Sequence, residues 1–217
     1  MTVRLSKEFI RRLPKTDLHV HLDGSLRLPT ILELARDRKI ELPATDAGAL
    51  ADAMHVGQNT GSLVKYLEAF DITLRVLQHE EGLYRAAYEL AEDAAKENVR
   101  YMEVRYAPML HTQKGLRLTR VVETVLDGLH KAGQAHGIES RVIICGIRNI
   151  SPASSLEMAE LAVAYKGRGV VGFDLAGAEY DYPPNDHHEA FSLVRRNNIN
   201  LTIHAGEAYG PASVSQA

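Results

Sequence analysis

Five short apolar runs, each followed by a longer stretch of helical periodicity, constrain this chain more than any other feature. The runs lie at roughly 16–21 (TDLHVH), 99–106 (VRYMEVRY), 141–147 (RVIICGI), 169–175 (GVVGFDL) and 199–204 (INLTIH). RVIICGI and GVVGFDL are nearly continuous in apolar residues, the pattern of strands covered on both faces. Between the runs, 29–40 opens with Pro29, a residue suited to a first helical turn. Residues 60–78 carry Leu63, Tyr66, Leu67 and Phe70 at helical spacing, and 82–97 carry Leu83, Ala87, Leu90 and Ala94. Residues 119–137 run from a capping threonine to a glycine, 154–169 run from a serine to glycines, and 185–198 open on Asn-Asp. Strands alternating with helices predict a parallel sheet of βα units. The insert at about 24–98 is mostly helical and is expected over one end of that sheet. Two architectures fit the alternation: an open doubly wound sheet and part of a (β/α)8 barrel. No glycine-rich phosphate loop follows the first run, which counts against a nucleotide-binding open sheet.

In parallel α/β folds the chemistry collects at the C-terminal ends of the strands. The first run ends HVHLDG, the second EVRYAP, the fourth GFDLAGAE and the fifth TIHAGE. Strand alternation turns His19, His21 and Asp23 to one face. His204 then sits at an equivalent height on another strand, with Glu207 in the turn beyond it. Three histidines from strand ends match a catalytic zinc set, which uses protein ligands and keeps a position open for water. A glutamate able to trade a proton is its natural companion.

Composition narrows the class. The chain has 217 residues, 45% of them hydrophobic and 24% charged, as in an ordinary globular domain. A net charge of −3 and 6% aromatic residues do not point to nucleic-acid binding. The single cysteine, Cys145, permits no intrachain disulfide and suits a reducing, cytoplasmic setting; it reads as a small buried hydrophobe. The first residues lack the apolar segment of a secretory signal, and no run approaches the ~20 apolar residues that span a bilayer.

The segments LPKTDLHVHLDGSL, YMEVRYAP, VVGFDLAG and TIHAGE, in this order and spacing, resemble the adenosine deaminase family of metal-dependent hydrolases. The resemblance runs along essentially the whole chain. It implies an α/β fold of the (β/α)8 TIM-barrel type, with the first five βα units in this chain and a helical insert after the first strand. It implies hydrolytic deamination of adenosine or deoxyadenosine to inosine and ammonia, with one Zn2+ per site and a small purine nucleoside as partner. His19, His21 and His204 become zinc ligands by resemblance. Glu207 becomes the acid that protonates purine N1 as activated water attacks C6. His21 and Asp23 come to lie near the ribose 5′-hydroxyl, and Gly177 offers its backbone amide to the purine. The helix around Leu63, Tyr66, Leu67 and Phe70 becomes a lid.

A complete barrel needs eight strands, about 90 residues beyond the five visible units. The family carries there a histidine that works on the attacking water and two aspartates, one a zinc ligand and the other a base contact. Residues 1–217 are therefore expected to form a partial barrel whose activity depends on that further part. Relatives that act on adenine, AMP or N6-modified purines are alternatives within the family. Two-metal hydrolases of the wider superfamily carry a modified lysine on the fourth strand, where this chain offers Asp174 and no lysine. Cytidine-deaminase chemistry requires a cysteine pair that one cysteine cannot provide. A purine-binding fragment without turnover is the non-enzymatic reading.

Overall fold

The computed structural model describes residues 5–54 and 63–217, apart from the side chains at 64–66 and 68. Strands β1 (Lys15–His21), β2 (Val99–Tyr106), β3 (Glu139–Ile147), β4 (Val170–Ala176) and β5 (Asn200–Ile203) form one sheet in sequence order. All four pairings are parallel. Helices lie between them: α1 (Lys7–Arg12), α2 (Leu28–Arg38), α3 (Ala47–Met54), α4 (Leu63–Val76), α5 (Glu80–Lys96), α6 (Leu118–His136), α7 (Pro152–Ala164), α8 (His188–Arg196) and α9 (Gly210–Gln216). The sheet curls as a barrel wall, so residues of β1 and β5 meet across its mouth, as the site below shows. These are five βα units of a TIM-type barrel, with the helical insert leaving after β1.

The central strands β2, β3 and β4 are covered on both faces over most of their length, whereas the outer strands β1 and β5 stay largely exposed. Met102, Val104, Ile144 and Phe173 are fully buried, and they pack with Leu34, Leu83, Val125 and Met158 from the helices in one continuous core. Burial of this kind contributes about 25 cal/mol per Å2 of apolar surface removed from water. The helix bounds depart slightly from the sequence pattern. α6 starts at Leu118, with extended Arg117 in the cap position and no side-chain cap bond, and not on the expected threonine cap. α7 is capped by Ser151, whose hydroxyl accepts from the Ser154 amide at 3.1 Å, with Pro152 in the first turn. The stretch 185–198 divides into a 3-10 turn, Pro184–His187, and α8; His187 Nε2 lies 3.2 Å from the Arg148 carbonyl and fixes the turn. Short α1 falls outside the expected elements, and α3 lies within the insert expected to be mostly helical. α1 takes its cap from Ser6, and the Asp46 side chain accepts from the Ala49 amide at the start of α3. Of the expected lid helix, Leu63, Leu67 and Phe70 lie on α4, whereas residues 60–62 and the Tyr66 side chain fall outside what is described.

Two features aim the strand ends. Between Asp17–Met102 and Val20–Val104 the β1–β2 register gains one residue on β1. This bulge bends the strand at His19, ahead of His21. Beyond β5 the ladder continues for one residue, since the His204 amide donates to the Leu175 carbonyl at 3.0 Å. His204 therefore stays in strand register although the strand proper stops at Ile203.

Candidate active site

His19 and His21 leave the end of β1, and His204 leaves the end of β5. Their Nε2 atoms converge: 2.9 Å from His19 to His204, 3.3 Å from His21 to His19, and 3.2 Å from His21 to His204. Three imidazole nitrogens that close cannot all be satisfied by one another, because each contact needs one donor and one acceptor. A tetrahedral ion bonded to nitrogen at about 2.0–2.1 Å sets its ligand atoms about 3.3 Å apart. The set fits such an ion, and the three rings form the metal-capable cluster found among the described residues. Desolvation first, then the positive charge of its neighbours, holds His21 down to about 4, and the same causes lower His19. Both rings are thus neutral near pH 7, the form that ligates.

Below the histidines sits a buried charge network. Asp174 of β4 is fully buried, with Oδ2 2.8 Å from His204 Nδ1 and 3.3 Å from the Arg105 guanidinium. The Thr202 hydroxyl donates to its Oδ1 at 2.9 Å. Burial opposes ionisation of this carboxyl, but His204, Arg105 and Thr202 outweigh it and hold Asp174 at about 2. A carboxylate beside Nδ1 keeps the proton on that nitrogen and turns the Nε2 lone pair outward. Arg105, itself buried, also donates to the Leu18 carbonyl at 2.8 Å, tying the bulge of β1 into the network. Sequence reading weighed Asp174 only against a missing lysine; the signal available was its place on an otherwise apolar strand, two strands from Arg105.

The histidines open on a cavity of about 480 Å3. Asp23, Gly177 and Glu207 line it, so the three histidines and these three residues picked out from the sequence come together at one place. Ala107, Cys145 and Ala176 form a small apolar cluster at its floor, where the Cys145 thiol is buried. Leu63, Leu67, Phe70 and Leu74 of α4 close one side, and the Phe70 ring meets His21 edge-on with centroids 6.3 Å apart. Asp23 lies in the turn past β1; desolvation pushes its carboxyl up to about 6 against the opposing pull of backbone amides. Gly177 has φ +99°, and a Cβ there would stand 2.5 Å from Asn149 Oδ1, the atom that accepts from the Ala178 amide. Only glycine suits both demands. Glu207 lines the cavity and is exposed at its rim. A wider cleft of about 860 Å3 opens by the other ends of β3 and β4, and none of these chemistry-bearing residues lines it.

Sequence reading missed Glu179 and Arg148. Glu179 follows β4 and is buried; its carboxylate accepts from the amides of Gly206, Ala208 and Tyr209. Arg148 follows β3 and donates to the His204 carbonyl.

The profile of the family described as adenosine deaminase matches residues 14–217. An adenosine deaminase of Mycolicibacterium vanbaalenii is 48% identical over 223 residues, covering all of this chain and 61% of that protein. The crystal structure of an adenine deaminase from Arthrobacter aurescens superposes with a TM-score of 0.82 at 28% identity, over 92% of this chain and 59% of its own. An amidohydrolase structure from Burkholderia ambifaria with bound Zn superposes with a TM-score of 0.85 at 25% identity, over 98% of this chain and 58% of its own. The chain thus spans about three fifths of the length of these relatives. No described helix is long and apolar enough to cross a membrane. With a profile match over nearly its whole length and the mycobacterial relative so similar, the chain belongs to the adenosine deaminase family.

Proposed function

We propose that the protein carrying this chain hydrolyses the 6-amino group of adenosine and deoxyadenosine, giving inosine or deoxyinosine and ammonia, in the cytoplasm. The observation that carries this reading is the convergence of three Nε2 atoms beside a purine-sized cavity with Glu207 at its rim. Membership of the family and the zinc in the Burkholderia ambifaria relative support it. His19, His21 and His204 hold the ion. A zinc ion there supplies Lewis-acid activation of water at neutral pH.

The remaining work belongs to this chain's residues. Glu207 donates a proton to purine N1. The ring nitrogen can then accept the electron pair displaced when water oxygen bonds to C6; one water proton passes to the amino group, the C6–N bond breaks as the C6 carbonyl forms, ammonia departs, and the other water proton restores Glu207. Gly177 offers its amide to the purine edge. His21 and Asp23 meet the ribose 5′-hydroxyl. α4, within the 24–98 insert, covers base and ribose and excludes water, which strengthens every polar contact beneath it. The further part of the barrel supplies the remaining metal and water contacts.

Asp23 separates nucleoside from nucleotide. A 5′-phosphate brought against a buried carboxyl meets either like charge or the cost of keeping the acid neutral, whereas a hydroxyl can donate to it. This favours nucleosides over N6-modified AMP. Adenine, the substrate class in the name of the Arthrobacter aurescens relative, would leave Asp23 without a sugar partner. The test is spectroscopic. Full-length protein loaded with zinc is offered adenosine, adenine and AMP in turn, and the loss of adenine-type absorbance is followed. Turnover of adenosine at least tenfold above the other two is expected; no turnover of any purine would overturn the proposal. Within it, Glu207→Gln is expected to keep zinc and lose about 10²–10⁴ in rate.

A further inference from the structure

We propose that Glu179 is a positioning residue for Glu207: by binding the main chain on either side of it, Glu179 fixes where the Glu207 carboxyl stands over the cavity. This inference rests on the role given to Glu207 above.

Glu179 is not among the residues lining the cavity. Its carboxylate instead faces the loop after β5, with the Ser213 hydroxyl of α9 beside it. Oε1 accepts from the Gly206 amide, and Oε2 accepts from the amides of Ala208 and, at 2.7 Å, Tyr209. These donors bracket residue 207. The loop between Ile203 and Gly210 runs outside any strand or helix, and Gly206 turns it at φ +87°. Of its amides, His204 continues the β5 ladder, while Gly206, Ala208 and Tyr209 close on Glu179. The loop's geometry is thereby referred to the end of β4.

Two further contacts join the same segments. The rings of Tyr180 and Tyr209 meet edge-on with centroids 5.5 Å apart. Arg148, buried at the end of β3, donates to the His204 carbonyl and, at 3.5 Å, to that of Tyr182. Burial opposes ionisation of Glu179, but the Ser213 hydroxyl and the three amides outweigh it and hold the carboxyl at about 2. It is therefore a full carboxylate at any working pH, with the acceptor capacity to take three donors at once. An amide in its place has one acceptor oxygen and an NH2 group, which must face one of the three N–H donors. The loop would lose its register on one side of residue 207. Proton transfer to a ring nitrogen needs hydrogen-bond reach, and a displacement of about 1 Å can cost ~10²-fold in rate.

The test compares Glu179→Gln, Glu207→Gln and the double variant in full-length, zinc-loaded protein with adenosine as substrate. Expected for Glu179→Gln is a fall in kcat of about 10–100-fold, KM within threefold, and unchanged zinc content. Adding Glu179→Gln to Glu207→Gln should lower the residual rate by less than twofold, because the group being positioned has already lost its proton. Independent, multiplicative losses in the double variant would overturn the inference. So would a kcat loss that follows zinc content or folded fraction, or a single variant within threefold of the parent. If Glu179→Gln does not fold, Glu179→Asp is read by the same criteria; it keeps the charge and shortens the reach. A parent inert toward all purines overturns the proposed function, whereas an active parent with an unaffected Glu179 variant overturns only the positioning role.

Discussion

Asp174 faces two demands, and a single substitution separates them. In Asp174→Asn the side chain keeps its shape and loses its charge. His204 Nδ1 loses the carboxylate 2.8 Å away, and buried Arg105 loses its charge partner at 3.3 Å. Removing one member of a buried pair costs about 3–5 kcal/mol. Asparagine can still accept from Thr202, so the lower figure, about 3 kcal/mol, applies. In a domain of this size each kcal/mol moves Tm by about 2–4 °C, so the metal-free protein should melt about 6–12 °C lower. The metal effect is distinct. Loss of a group that orients a ligating histidine costs about 10–100-fold in affinity, or about 1.4–2.7 kcal/mol. Zinc competition against a chromophoric chelator reads the second term, and melting of the metal-free protein reads the first. The control is Arg105→Met with Asp174→Asn, which removes both charges. It should recover much of the lost Tm, since apolar replacement of a buried pair is often neutral, while zinc affinity stays low. Zinc affinity within twofold of the parent in Asp174→Asn, or affinity recovered together with Tm in the double variant, would refute the orienting role.

Asp23→Ala should weaken adenosine binding by about 1.5–3 kcal/mol, the worth of a charge-assisted hydrogen bond, and leave adenine binding unchanged; inhibition constants for the two compounds check this, and equal losses would remove Asp23 from ribose recognition. Gly177→Ala should destabilise by more than ~1 kcal/mol and raise KM, because the new methyl meets Asn149 at φ +99°; urea melts and kinetics check both. Glu179, held at about 2 against an ordinary value of 4.5, contributes stability present above pH 4.5 that is lost as pH falls toward 2. Acid melts should therefore show the parent losing its advantage over Glu179→Gln across that window, and a difference constant down to pH 2 would contradict the assignment.

The fold was readable because its signal is dense. Val142 to Gly146 and Gly172 to Ala176 are each buried continuously, which leaves apolar runs in the sequence, broken in the second only by Asp174. The helix starts were read less well, since α6 is entered through Arg117, which makes no side-chain cap bond, while Thr119 lies inside the helix. The site divides in the same way. His19, His21 and His204 carry a recognisable residue type at strand ends, so motif and position point together. Glu179 acts on main-chain amides, and nothing in the order of residues says which amides will face it. Asp174 and Arg105 meet side by side only after β2, β3 and β4 have paired, and their separation of 69 residues hides the contact from any local reading.

The histidine triangle also has a topological meaning. His21 and His204 stand 183 residues apart along the chain, on the first and last strands of the sheet. An ion bound to both acts as a cross-link closing a loop of that length. By the scaling used for covalent cross-links, a closure this long is worth about 5 kcal/mol of lost freedom in the unfolded chain, taken as an upper bound for a bond that can dissociate. Metal loading should therefore be felt along the whole five-strand wall, with the amides of β1 and β5 gaining protection from hydrogen exchange together, as one cooperative unit.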